Sequence, residues 1–354
     1  MAYNASAFLL LFCVLVIPLS SGVHVYQCSP GTEETLCVVN NLAYSPGQDR
    51  LPQVNRSDTV NRIHLRCSRY YYYSNWNSRS GKDLFSVYDV VLHSNVLRSP
   101  RSATVINCHL HTLVMPHDLE VGDFFNNYVS EVKTDPTQSY NLRYLDLSHN
   151  NLYDLGNLSV LVNLQTLKLD GNAFEEIKPE TFARMINLSI LSLGYNRIVK
   201  IDLKLLPKSL IVLSLVRNSL TEIVFVSVSF VFMRELDLES NRLAWLDVAS
   251  MMRACPSLQL LPIEFNPMSK DVARRIVMEL TRYNVTYYNE GDKASYSDSS
   301  CDSDEYSVVR GCFLVAKNKG SGSFLKAFVL ILVGIVFFGV FGLSARWIWY
   351  EMRY

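Results

Sequence analysis

The chain has 354 residues, and its 33 Lys and Arg are balanced by 33 Asp and Glu, so the formal net charge at pH 7 is zero. That balance gives no electrostatic reason to expect a nucleic-acid ligand, whose phosphates select basic surfaces. Hydrophobic residues make up 49% of the chain, which supplies a packed core and excludes a wholly disordered protein, even though two apolar runs near the ends inflate the figure.

The first element is the apolar run Phe8 to Leu19, followed by small residues. This is the shape of a secretory signal peptide over residues 1–22, with cleavage expected after Gly22 and Ser20 at the minus-three position, although no Lys or Arg precedes the run. Export would place Cys28, Cys37, Cys67, Cys108, Cys255, Cys301 and Cys312 in an oxidising compartment, where disulfides are favoured. Residues 23–104 read as an N-terminal cap. The stretch VYQCSPGTEETLC is expected to close a loop between Cys28 and Cys37. Cys67 and Cys108 make a second candidate pair, while an alternative reading gives Cys108 the structural position that asparagine holds in the later repeats. The tyrosine run from Tyr70 reads as cap packing or an exposed loop. VYDVVLHSNVL, Val87 to Leu97, fits the later repeat pattern but lies too close to the Cys108 match for both to be full turns, so one of the two is expected to be a cap strand.

HLHTLVMPH offers the best constellation for chemistry. His109 and His111 would project from one strand face and His117 could fold back, and three imidazoles can hold zinc. Partly exposed histidines in an irregular cap are the favoured reading, because Asp118 and Glu120 add no ligand spacing. The chain has no phosphate-binding glycine loop, zinc-protease helix or nucleophile elbow. Neither an enzyme nor a cofactor is expected.

A repeating pattern dominates the next third. LRYLDLSHNNL from Leu142 returns as LQTLKLDGNAF, LSILSLGYNRI, LIVLSLVRNSL, MRELDLESNRL and LQLLPIEFNPM. Its asparagines, Asn150, Asn172, Asn196, Asn218, Asn241 and Asn266, are separated by 22, 24, 22, 23 and 25 residues. That period is the mark of a leucine-rich-repeat solenoid, an α/β fold with one short strand per turn, here expected over residues 105–268. The leucines of one turn cannot be buried within it, so the turns stack. Where the chain leaves each strand, backbone groups inside the coil need partners, and an asparagine amide both donates and accepts, so the six residues are expected to form a structural ladder.

After the repeats, SKDVARRIVMELTRY reads as a C-terminal cap helix within residues 269–288, capped by Ser269, with Val272, Ile276, Val277, Leu280 and Tyr283 on one face. Cys255, just before the sixth strand, is expected to be a buried free thiol, with an intermolecular bridge as the alternative. Residues 289–323 are acidic and Ser-rich, an expected stalk that Cys301 and Cys312 could staple. The apolar run Ala327 to Leu343, with Phe324, Leu325, Ser344 and Ala345 beside it, makes residues 324–345 about long enough to span ~30 Å of hydrocarbon, with Lys326 at one end and Arg346, Trp347, Trp349 and Tyr350 at the other. A single transmembrane helix with its amino terminus outside would leave residues 346–354 as a short cytoplasmic tail; a lipid anchor is the alternative. This places the ectodomain outside the plasma membrane. Asn55, Asn157, Asn187 and Asn284 are glycosylation sequons in the exterior part.

The outward strand positions would form the inner curve of the solenoid. Candidate ligand-binding residues there are Tyr144, Asp146, Lys168, Ile190, Tyr195, Val212, Ser214, Val216, Arg217 and Asp237, with Ile190, Val212 and Val216 as an apolar centre and polar residues as a rim. A solvated sheet is the plainer reading of the same residues.

The six motifs over Leu142 to Met268 make the chain resemble leucine-rich-repeat cell-surface receptors. With VHVYQCSPGTEETLC, the short array and the cysteines before the carboxy-terminal segment, it also resembles the transmembrane subgroup of the mosquito leucine-rich immune family. That resemblance implies a role in innate immunity and partners among complement-like thioester proteins or disulfide-linked family members, in a homo- or hetero-oligomer. The coiled coil of the soluble members is missing here, and an apolar span stands in its place. A recognition protein binding a protein or glycan ligand is therefore the expected function, with an adhesion or structural glycoprotein as the alternative.

Overall fold

The computed structural model describes residues 23–31, 34–67 and 86–287, together with the backbone of two short strands at Glu305–Ser307 and Cys312–Leu314. The signal segment, the Tyr70 cluster, Cys301, the remainder of the stalk, the apolar run 324–345 and the tail lie outside the described residues, as does the Cys312 side chain. Among the described residues no helix is long and apolar enough to cross a membrane. Two compact units divide the chain, residues 1–197 with 204–213 and residues 198–203 with 214–354.

In the first unit β1 (Val25–Gln27) pairs in parallel with β4 (Gln53–Asn55), and the main sheet runs through β2 (Ser29–Pro30), β3 (Leu36–Asn40), β5 (Arg62–Arg66), β7 (Ser102–Ile106), β9 (Val121–Asp123), β11 (Tyr144–Asp146), β12 (Thr166–Lys168) and β13 (Ile190–Ser192). All neighbours are parallel except β2 and β3. The next strand, β14 (Val212–Ser214), begins in this unit, where the Ile211 and Val212 N–H groups donate to the Ser189 carbonyl at 2.8 and 3.0 Å. The segment read as an N-terminal cap thus supplies strands to the same parallel sheet. Its inward side chains obey the rule although only Leu65 among them is a leucine: Cys37, Ile63 and Ala103 are in register, as are Val39, Leu65 and Val105, and none is more than 2% exposed.

The stretch Val87 to Leu97 does not make a turn of that sheet. It forms the two-residue strand β6 (Val87–Tyr88) in a second parallel sheet with β8 (Thr112–Val114) and β10 (Glu131–Lys133), then a π-helical turn at Leu92–Val96. Asp89 explains the turn, because its carboxylate accepts the Leu92 N–H at 2.8 Å and the Tyr44 hydroxyl at 2.7 Å. Beneath it His93 is wholly buried, sharing a 2.8 Å hydrogen bond with the Tyr88 hydroxyl through Nδ1. Its Nε2 stands 3.0 Å from Asp118 Oδ1, close enough for an ion pair when the imidazole is protonated. Two disulfides join this region, Cys28–Cys37 and Cys67–Cys108. Both readings of Cys108 hold at once: it is bridged, and it also occupies the asparagine position of its turn, with its N–H donating to Asn127 Oδ1 at 2.9 Å.

The asparagines work as a ladder. Asn196 Nδ2 donates to Leu193 O in its own turn and to Leu169 O in the turn before, both at 3.0 Å, while its Oδ1 accepts the Phe174 N–H at 3.2 Å. Asn150 and Asn172 repeat the scheme on Leu147 and Phe124, and on Leu169 and Leu147. Asn127, 23 residues before Asn150, does the same on Phe124 and Val105 and was not legible as a ladder residue. Its turn is disguised because Gly122 stands in register with Leu145, and a Cβ there would come within 2.8 Å of the Phe124 ring that fills the space. Each ladder residue follows one in the left-handed region: Asn126, His149, Gly171 and Tyr195, with φ between 53° and 65°. This turn aims the next side chain back into the coil, and it strains every residue but the glycine.

In the second unit Asn218, Asn241 and Asn266 continue the ladder on Leu215, Leu238 and Ile263, each preceded by a left-handed residue, Arg217, Ser240 and Phe265. Strand β15 (Glu235–Asp237) is followed by single bridges from Glu235 to Leu260 and from Leu260 to Thr286. Helix α1 (Val248–Ala254) starts at Asp247, whose carboxylate accepts the Ser250 N–H at 2.9 Å. Helix α2 (Lys270–Arg282) starts at Ser269, whose hydroxyl accepts the Val272 N–H at 3.4 Å. It buries Ala273, Ile276, Val277 and Leu280, whereas Tyr283, expected on that face, is exposed because it follows the last helical turn. Cys255 is free and fully buried, with its sulfur 3.8 Å from Met233 Sδ, and burial pushes its thiol up to about 12. An inaccessible protonated thiol does not form an intermolecular bridge from this conformation.

Candidate functional site

Strand alternation sends Leu145 inward and Tyr144 and Asp146 outward, and the parallel registers line up the outward positions in rows. In the first unit one row is Val121, Tyr144, Thr166 and Ile190, and the next is Asp123, Asp146, Lys168 and Ser192. Backbone bonds from Asn126 to Ser148, His149 to Asp170 and Gly171 to Gly194 carry the same stagger past the strand ends. A third row is therefore Phe125, Ser148, Asp170 and Gly194, edged by the left-handed residues. These rows are the unit's outward face: Val121 is exposed, Tyr144, Thr166, Lys168, Asp170, Ile190 and Ser192 are half-buried, and Asp146, Ser148 and Gly194 are buried.

At the centre of this face Lys168 Nζ lies 5.6 Å from the centre of the Tyr144 ring and 3.8 Å from Asp146 Oδ2, and the Tyr144 hydroxyl donates to the same oxygen at 3.3 Å. Burial works against the Lys168 charge, but Tyr144, Asp146 and Asp170 outweigh it and hold the ammonium above its ordinary range. Burial, reinforced by Asp146, pushes the Tyr144 phenol up. Asp146 Oδ1 accepts the Ser148 N–H at 2.9 Å. In the next turn, just past the end of β12, Asp170 Oδ1 accepts both the Ser192 hydroxyl and the Gly194 N–H at 2.6 Å. Asp123 Oδ1 accepts the Phe125 N–H at 3.2 Å, and burial, with a smaller contribution from Asp146, raises its carboxyl above the usual range. Ser148 is only 4% exposed and its hydroxyl has no hydrogen-bond partner. Along the edge the His149 ring is 5.2 Å from Phe125 and 6.4 Å from Tyr195.

Of the residues singled out from sequence, Tyr144, Asp146 and Lys168 are brought into direct contact. Ile190 and Val212 are half-buried on the same face, and Tyr195 is an exposed edge residue. Ser214, Val216, Arg217 and Asp237 belong to the second unit, where Asp237 Oδ1 accepts the Glu239 N–H at 3.0 Å and Arg217 is exposed. Sequence reasoning passed over Asp123 because Gly122 hid its turn; the signal that could have found it was Asn127 at the repeat period. The histidines of HLHTLVMPH do not converge: His109, itself left-handed, stacks on Tyr128 at 5.1 Å, and His111 lies 5.7 Å from the same ring. Among the described residues no group of three or more His, Cys, Asp or Glu is placed to hold a metal ion. Asn55, Asn157, Asn187 and Asn284 are all exposed.

Leucine rich repeat family models match residues 162–220 and 141–161. Mouse lumican is 28% identical over 204 residues, covering 55% of this chain and 56% of lumican, so the chain spans about half the length of the curated relatives it matches. Bovine Toll-like receptor 4 is 44% identical over 57 residues, 15% of this chain and 7% of the receptor. Among solved structures, the crystal structure of the LRIM1/APL1C complex is similar at a TM-score of 0.47 and 16% identity, covering 91% of this chain and 77% of that one. The chain carries leucine-rich repeats, and its fold is the parallel-strand solenoid of that repeat.

Proposed function

We propose that the chain is a cell-surface recognition protein whose outward repeat face binds a protein or pathogen-derived ligand, with innate immunity as its setting. The observation that carries the reading is the outward face of the first unit, which bears the Tyr144, Asp146 and Lys168 cluster and half-buried Ile190 and Val212. A partly apolar surface with charged and aromatic anchors is what protein interfaces use. Export and membrane anchoring are supported by the apolar runs at Phe8 to Leu19 and 324–345 and by the exposure of all four sequon asparagines. The immune setting rests on the resemblance carried by the repeat motifs and the early cysteine pair.

The test is affinity capture by the full chain from the native cell surface, with two substitutions one residue apart. Val212→Glu should fold and lose the captured partner, because it places an uncompensated charge in the interface. Leu213→Glu should unfold the turn, since Leu213 is fully buried. If Val212→Glu folds and keeps every partner, the reading is wrong, and an adhesion or structural glycoprotein takes its place. Glycosidase should also increase the mobility of the intact protein, and protease applied to unbroken cells should remove nearly all of it; a protected ectodomain would overturn the surface location.

A further inference from the structure

We propose that the flank of the first unit just past the ladder residues binds a neutral oligosaccharide, with the rings of Tyr128 and Tyr153 stacking on sugar and the amides of Asn126 and Asn151 bonding its hydroxyls. The site uses none of the residues on the strand face, so it stands or falls independently of the reading given to that face.

Three successive turns carry Cys108, Asn127 and Asn150 at the ladder position. Past it the chain still alternates: Leu110, Val129 and Leu152 point inward and are no more than 2% exposed, so the residues on either side of them point outward. In the first turn the outward residues around the ladder position are Asn107, His109 and His111. Both imidazoles lie against Tyr128 of the second turn, His109 stacked on its ring at 5.1 Å and His111 at 5.7 Å. The Asn126 amide of that turn donates to Asn107 Oδ1 at 2.5 Å, and Ser130 follows at the next outward position. The third turn adds His149, Asn151 and Tyr153, all exposed, with Tyr153 at 73%. None of these positions holds a carboxylate, a lysine, an arginine or an aliphatic side chain, although 19% of the chain is charged. The two turns that follow break the pattern at the same offsets, with Gly171, Ala173 and Glu175, then Tyr195, Arg197 and Val199.

A surface without charge does not suit an ionic ligand, and without aliphatic side chains it lacks the apolar core of a protein interface. It matches a sugar, whose C–H faces pack on aromatic rings and whose hydroxyls donate and accept, as the Asn amides and the Tyr and Ser hydroxyls also do. The side chains of Ser130, Asn151 and Tyr153 have no hydrogen-bond partner among the described residues, which leaves their polar groups open to a ligand. Neighbouring turns stand ~4.8 Å apart, close to the length of one sugar ring, so an oligosaccharide laid across them meets a ring or an amide at each step. Two of the rings are also held in a strained backbone. His109 and His149 have φ of 59° and 55°, in the left-handed region where Gly171 and Asn126 show that smaller residues serve the turn. Strain of that kind is retained where the side chain itself is needed.

The experiment uses the full chain in a detergent without a sugar headgroup and fluorescently labelled cellohexaose, chitohexaose, laminarihexaose and mannohexaose, followed by anisotropy, with a heparin hexasaccharide as the comparison. At least one neutral hexasaccharide should bind saturably and more tightly than the heparin fragment, with an affinity that molar salt and EDTA leave unchanged. Tyr128→Ala should weaken that sugar at least tenfold and Asn151→Ala several-fold, while Tyr128→Phe, which keeps the ring, should stay close to the wild type. Both positions are exposed, so the melting temperature should hold in all three variants. No saturable binding of any of the four neutral sugars, unchanged affinity in Tyr128→Ala and Asn151→Ala, tighter binding of the heparin fragment, or loss of binding in EDTA would each overturn the site. Val212→Glu separates the two readings, since it should bind the sugar as the wild type does. If it keeps every native partner while Tyr128→Ala loses the sugar, the strand-face reading falls and the sugar site stands; if it loses the native partner while no neutral sugar binds the wild type, the sugar site falls alone.

Discussion

Replacing Asn196 by alanine tests the ladder where its bonds are best defined. The amide nitrogen of Asn196 donates to Leu169 O, Leu193 O and Gly194 O at 3.0, 3.0 and 2.9 Å, and its oxygen accepts the Phe174 N–H at 3.2 Å. Phe174 is 1% exposed, so water does not replace that acceptor without opening the coil. Leaving one buried donor unpaired costs about 1–3 kcal/mol, and the carbonyls of Leu169 and Leu193 lose partners at the same time, so the upper half of that range is expected. For a domain of this size ~1 kcal/mol lowers Tm by about 2–4 °C, which places the shift at about 4–12 °C. The control is Asn187→Gln, at an exposed residue nearby in sequence, expected to change stability by no more than about 0.5 kcal/mol. Thermal unfolding gives the comparison, and hydrogen exchange localises it, because the Phe174 amide should lose protection first. Equal shifts for the two substitutions, or an unchanged Phe174 amide, would refute the assigned ladder.

Gly171→Ala should destabilise by about 1–2 kcal/mol, since Gly171 has φ +65° and an added Cβ would sit 2.7 Å from His149 Nδ1; adding His149→Ala should recover part of the loss in a double-mutant cycle, and strict additivity would show that the close approach is irrelevant. Ser148→Ala should leave urea stability unchanged or raise it by up to about 1 kcal/mol, because it removes an unsatisfied hydroxyl; a clear loss would mean that the hydroxyl already has a partner in solution. Burial lowers the His93 pKa below 6.5 more than Asp118 restores it, so the unfolded chain binds more protons between the folded value and 6.5. Stability should therefore fall as pH drops through that window, and His93→Gln should flatten the slope in urea titrations; an identical slope would place the acid sensitivity elsewhere.

Much of this protein was determined by sequence alone. A leucine at every second strand position and an asparagine once per turn leave the chain one economical way to bury apolar area and satisfy the turn, so the six turns from Leu142 to Met268 could be read without coordinates. Ser269 at the start of helix α2 was equally local, because a cap depends only on the residues that follow it. The earlier turns were hidden for a physical reason. In them the inward register is filled by Cys37, Ile63, Ala103 and Gly122, and only the neighbouring strands, with Phe124 reaching over the glycine, show that these residues do a leucine's task. The site depended still more on the tertiary structure. Asp123, Asp146 and Asp170 are far apart along the chain, and their rows exist only because parallel pairing fixes the stagger between turns. The unpartnered Ser148 hydroxyl is a statement about what surrounds a serine in space, and no sequence pattern encodes it, because an absent hydrogen bond leaves no mark on the order of residues.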